Sequence, residues 1–155
     1  MLLIDAHLDI SMNALEWNRD LRASIDQIND REKLLTDKPD RGNATVCLDE
    51  LRKGNVGIVV ATQIARYVAP DSVLPGWNSP EQAWAQTQGQ LAYYKALERT
   101  GDLRPIRTLS ELHDHLIQWE SDGHTIGYIL SLEGADSIVS LEYLEIVHAY
   151  GLRAL

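Results

Sequence analysis

Two stretches constrain the fold of this chain more than any other feature. From Asn55 to Ile64 and from Thr125 to Leu132 the side chains are almost continuously apolar, with Val56, Ile58, Val59, Val60, Ala61 and Ile64 in the first and Ile126, Tyr128, Ile129, Leu130 and Leu132 in the second. A strand that is apolar on both faces must be covered on both, which is the situation of a strand inside a parallel sheet flanked by helices. The N-terminal run over residues 2–10 alternates instead. As a strand it places Leu3, Asp5, His7 and Asp9 on one face and Leu2, Ile4, Ala6, Leu8 and Ile10 on the other. The second face is wholly apolar and is predicted to be buried.

Helical signals separate the strands. Thr45 through Lys53 reads as a short helix stopped by Gly54, with Cys47 turned to the core. Ser79-Pro80-Glu81-Gln82 opens a longer one: Ser79 caps, Pro80 suits the first helical position, Gln82 can complete a capping box, and Gly101 follows the last turn. Trp84, Leu91, Tyr94 and Leu97 form its apolar stripe. Thr108, with Glu111 three residues on, starts a further helix that carries Leu109, Leu112, Leu116 and Trp119 and ends near Gly123. Ser140 is expected to cap a last helix ended by Gly151, after which Leu152-Arg153-Ala154-Leu155 reads as another strand beginning. Residues 11–44 and 67–78 read as irregular, the first with a helical turn or two and the second as a Pro- and Gly-containing loop.

Strands alternating with helices predict an α/β fold with a parallel sheet, and parallel strands bring their C-terminal ends to one edge. His7 and Asp9 stand at the end of the first strand and Glu133 at the end of the third, where Gly134 lets the chain turn away. Imidazole and carboxylate are the ligands a zinc-like divalent ion accepts, so these three residues are the candidate metal ligands. The same spacing also fits an edge strand with its polar face in water, and Glu133 also fits the start of a surface loop. His113-Asp114-His115 resembles a metal motif but lies on a helix, where residues two apart point about 200° from each other around the axis. His124 and His148 are isolated and expected to be solvent-exposed or satisfied.

Composition narrows the function classes. With 155 residues, 45% of them apolar, the chain can form one globular domain. A net charge of -9 with no dense Lys/Arg cluster argues against nucleic-acid binding. The single cysteine cannot form an internal disulfide, the apolar N-terminus is interrupted at Asp5 without a basic flank, and no run reaches membrane-spanning length. A cytoplasmic chain that engages neither membrane nor nucleic acid is expected. Three or four strands cannot close an eight-stranded barrel. Residues 1–155 are therefore expected to be one incomplete barrel domain, either a piece of a longer protein or a half-barrel whose open edges call for self-association or a complementary chain.

Asp5-Ala6-His7-Leu8-Asp9, Leu132-Glu133-Gly134 and Tyr150-Gly151-Leu152-Arg153, in that order and separation, resemble the N-terminal portion of the membrane (renal) dipeptidase family, the M19 metallopeptidases of the amidohydrolase superfamily. The resemblance implies a (β/α)8 TIM-type barrel, of which this chain is the N-terminal part. It implies two zinc ions and the hydrolysis of dipeptides or related small amides. His7 and Asp9 would ligate one zinc, and Glu133 would bridge both as part of the catalytic centre. The family's remaining ligands and substrate-binding groups have no counterparts in residues 1–155, so the chain alone is expected to be inactive. A histidine in place of Asp9 would instead point to another amidohydrolase. The competing expectation is a non-catalytic half-barrel that serves as an interaction subunit. Asp5 is a candidate to orient the His7 ring or, equally, a structural barrel residue.

Overall fold

A computed structural model describes residues 1–155. The strands are β1 (Leu3–Leu8), β2 (Val56–Ile64), β3 (Leu103–Pro105), β4 (Ile126–Glu133) and β5 (Leu152–Ala154); the helices are α1 (Ile10–Leu15), α2 (Ile25–Glu32), α3 (Leu48–Lys53), α4 (Pro80–Arg99), α5 (Leu109–Asp122) and α6 (Glu142–Tyr150). All strand pairings are parallel. β2 and β4 form the centre, in unbroken register from Ile58↔Gly127 to Ile64↔Glu133. β1 lies outside β2. The outer edge of β4 is shared, with β3 along its first half and β5 along its second.

The two apolar runs are the central strands, as their composition requires. Val59, Ala61, Tyr128, Leu130 and Leu132 contribute one side to a single core that also takes in Ile10, Leu21, Leu48, Tyr94 and Leu97. β1 departs from its expected burial. On the face expected to be buried, Ile10 is fully buried and Leu2 and Leu8 are half-buried, but Ile4 is 62% exposed and Ala6 is exposed, β1 being an edge strand with a neighbour on one side only. Its alternation is also broken, since the register slips by one residue between Asp5↔Val59 and Leu8↔Ala61. Such an irregularity turns side chains away from strict two-residue alternation, and it falls on Ala6 and His7.

The helix starts follow local chemistry. The Ser79 hydroxyl accepts from Gln82 N–H at the head of α4 with Pro80 in the first turn. The Gln82 side chain reaches one residue further back than a capping box, accepting from Asn78 N–H at 3.0 Å. At α5, Thr108 and Glu111 form the full reciprocal box, and Gly123 ends the helix in the left-handed region. The buried side of α5 is His115 and Trp119, whereas Leu109 is 67% exposed. Thr45–Cys47 precede α3, with buried Cys47 at its cap position. α6 begins later than Ser140 predicts. Leu141 already has helical angles, and Ser140 contributes its carbonyl to Tyr143 N–H.

Within residues 11–44, α1 and α2 are anchored by a buried ion cluster. Glu32 accepts from Arg19 Nε at 2.8 Å and Nη2 at 3.0 Å, from Arg41 Nη1 at 2.8 Å and from Gly42 N–H at 2.9 Å. A buried carboxylate with every lone pair engaged is the form in which such a charge is tolerated inside a protein.

Candidate metal centre

The site is built from the ends of two strands and the head of one helix. His7 is the penultimate residue of β1, Asp9 is the N-cap of α1, and Glu133 is the last residue of β4, followed by Gly134 at φ +76°. The parallel arrangement brings all three to the same edge of the sheet, although β2 separates β1 from β4. His7 Nε2 lies 3.4 Å from Asp9 Oδ1 and 3.4 Å from Glu133 Oε2. One ligand atom from each residue falls within 4.8 Å of the others, a spacing a single divalent ion can span. A cavity of about 320 Å³ opens beside them, lined in part by Val60, Thr62 and Ser131.

The fit to a cation rests on Asp9. Its Oδ1 is buried and makes no hydrogen bond. An unpaired buried carboxylate oxygen is costly unless a positive charge faces it. Nothing in the protein takes that place except the His7 ring edge. Glu16, two turns along α1, adds to the negative field; burial first of all raises its pKa, Lys38 opposes the rise and Asp9 adds to it.

Asp5 plays a different part from ring orientation. Its Oδ1 accepts from the His7 backbone N–H at 3.0 Å, so it braces the main chain at the irregular end of β1. Of the other histidines, His113 and His115 do point apart. His113 is exposed, while His115 is buried with Nε2 2.8 Å from the Gly57 carbonyl. His124 and His148 are exposed and belong to no ligand cluster.

A buried polar lattice beneath the site has no signature in local sequence. Ser11 Oγ donates to the Thr62 carbonyl at 2.9 Å, Tyr94 Oη donates to the same carbonyl at 2.8 Å, and Ser11 N–H donates to Tyr94 Oη at 3.3 Å. Gln90 completes it, accepting from Ile64 N–H at 2.8 Å and donating to Ile64 C=O at 2.6 Å. These groups serve the end of β2 just past Leu8↔Ala61, the last β1–β2 pair.

No protein-family profile and no curated protein matches the sequence. Solved structures do match, over 99% of this chain. Dipeptidase AC, a metallopeptidase of family M19, superposes with a TM-score of 0.67 at 22% identity. A metallopeptidase from Rhodobacter sphaeroides, solved with a phosphinate mimic of the dipeptide L-Ala-D-Ala, gives 0.66 at 20%. The fold is that of the N-terminal portion of an M19 dipeptidase. The probable dipeptidase PvdM from Pseudomonas aeruginosa gives 0.61 at 14%. The chain spans 41%, 44% and 33% of these three proteins, less than half of each. The five-stranded parallel sheet thus has the fold of part of these proteins, with its candidate centre at the strand ends where barrel enzymes build their sites. No helix is long and apolar enough to cross a membrane.

Proposed function

We propose that this chain provides the first part of a dinuclear zinc site for hydrolysing dipeptides or related small amides, and that it becomes active only when further residues complete the barrel. The observation that carries this reading is the convergence of His7, Asp9 and Glu133 at one strand edge. His7 and Asp9 would hold one ion from a rigid strand and the helix start that follows it. Glu133 would bridge to the second, its charge offsetting the repulsion between two cations held close together. When bound, the ions would polarise the scissile carbonyl and supply an acidified water. Asp5 keeps the main chain of His7 in place, and the cavity beside the three ligands offers room for the scissile group.

Completion falls to residues other than these 155, in the same polypeptide, a second copy or a complementary chain, because three ligands do not make a two-ion site. The single, buried Cys47 and the absence of a basic surface cluster accord with a cytoplasmic protein that binds a small peptide rather than nucleic acid or membrane. A second reading, a non-catalytic half-barrel that docks on a partner, is favoured by the exposed apolar residues of the open edge, Leu3 and Ile4.

Dipeptide hydrolysis by the zinc-loaded chain, followed as protein concentration is raised, separates the two. Activity that appears only with assembly, and disappears in Glu133→Ala, supports the hydrolase. Assembly without any hydrolysis at stoichiometric zinc supports the docking module.

A further inference from the structure

Asp9 stands at the N-cap of α1, yet its side chain makes no capping hydrogen bond. An aspartate there ordinarily gives one carboxylate oxygen to the N–H of the second or third helical residue, because first-turn amides have no partner within the helix. In this chain the second of those amides, Ser11 N–H, donates to the Tyr94 hydroxyl instead. The hydroxyl gives its own proton to the Thr62 carbonyl at 2.8 Å, which fixes its direction and leaves its lone pairs free to accept. Tyr94 is fully buried and stacked on Tyr128 with ring centroids 5.3 Å apart, so the hydroxyl has no other place to go. Burial also pushes its pKa far above the ordinary phenol value, which keeps the proton on. The Asp9 carboxylate, excused from capping, has a buried and unpartnered Oδ1 3.4 Å from His7 Nε2.

We propose that Tyr94 is a positioning residue for the metal centre: by capping α1 in place of Asp9, it keeps the Asp9 carboxylate turned toward His7 and Glu133 and available to a divalent cation. This rests on reading those three residues as metal ligands. Ser11 Oγ belongs to the same lattice but acts only on the Thr62 carbonyl and on Gln90, and so has no hold on the helix amide. Without the Tyr94 hydroxyl, Ser11 N–H faces an apolar ring edge, and the acceptor at the capping position is Asp9. A carboxylate drawn onto its own helix is lost to the ion.

The test compares zinc affinity of the 155-residue chain, Tyr94→Phe and Ser11→Ala, by competition with a chromogenic chelator. Tyr94→Phe keeps the stacked ring and removes only the hydroxyl; it is expected to weaken zinc binding roughly 10- to 100-fold, the effect of losing a group that orients a ligand. Ser11→Ala removes a hydrogen bond to the same carbonyl and is expected to leave the affinity unchanged. Wild-type affinity in Tyr94→Phe, or an equal loss in Ser11→Ala, overturns the proposal. A wild-type chain that takes up no zinc overturns the metal reading, and this inference with it. Should Tyr94→Phe not fold, Asp9→Ala in the metal-free chain decides. A carboxylate that caps nothing can be removed without lowering the denaturation midpoint, and a midpoint that falls as it does on losing a helix cap overturns the proposal.

Discussion

Single side chains in this protein carry charge in three distinct ways. Glu32 is buried and saturated: the Arg19 hydrogen bonds above all, with Gly42 N–H and Arg41, hold its pKa at about 2 against an ordinary 4.5, although burial opposes them. A carboxyl whose folded pKa is depressed stabilises the fold above its unfolded pKa, and that contribution is lost as pH falls through the folded value. Acid titration of stability should therefore show a loss beginning near pH 4.5 and running toward pH 2. Glu32→Ala should abolish this loss and cost about 3–5 kcal/mol at neutral pH, because it leaves the buried Arg19 guanidinium without a carboxylate, while Arg41 keeps Asp37; chemical denaturation at pH 7 and pH 3 measures both. His115 is buried and neutral. Desolvation is the main cause of its lowered pKa, with the Gly57 carbonyl opposing. The unfolded chain takes up the proton first, so stability should fall as pH drops below about 6.5, an effect His115→Gln should remove. Asp9 is the third case, a buried carboxylate oxygen with no partner of its own, and it is the one that reads as functional.

The elements differ in how much their local sequence decides. Thr108 and Glu111 cap α5 reciprocally, and Thr108→Ala should cost about 1 kcal/mol, as lost N-caps do, by thermal or urea denaturation. Gly57 and Gly127 mark where α5 meets the sheet, a Cβ on Gly57 falling 2.8 Å from Trp119 Cε2. A Cβ on Gly127 would lie 2.6 Å from His115 Nε2 and 2.6 Å from Ile106 Cδ1. Gly127→Ala should thus destabilise by about 1–3 kcal/mol, the usual cost of overpacking. β2, β4, α4 and α5 were legible because each carries its own signal, a doubly apolar run or a cap at the correct offset. β3 was not. It is three residues long, contains Pro105, and exists because β4 offers it an edge. The burial of β1 departs from its sequence pattern for a similar reason. Alternation tells which residues share a face, but whether anything covers that face depends on neighbours the strand does not encode. The placement of His7, Asp9 and Glu133 was readable because parallel strands share an edge. The Tyr94–Ser11 contact, 83 residues apart in sequence, was not.

At the scale of the molecule, we propose that the open parallel sheet associates through its outer strand, where Leu3 and Ile4 are exposed. Sedimentation should reveal species larger than one chain whose population grows with concentration, and Ile4→Lys should return the chain to monomer; a wild type that stays monomeric throughout would contradict assembly through this edge. The parallel sheet brings His7, Asp9 and Glu133 to one edge, so whatever completes the barrel would meet the candidate centre already half assembled. Whether those three residues hold metal is therefore decisive. The most direct test is elemental analysis of the purified chain beside Glu133→Ala, with intact mass confirming the 155 residues. Zinc bound in stoichiometric amount by the wild type and lost from a folded Glu133→Ala is the predicted result; a folded wild type that carries no metal, or a variant that keeps all of it, would contradict the site.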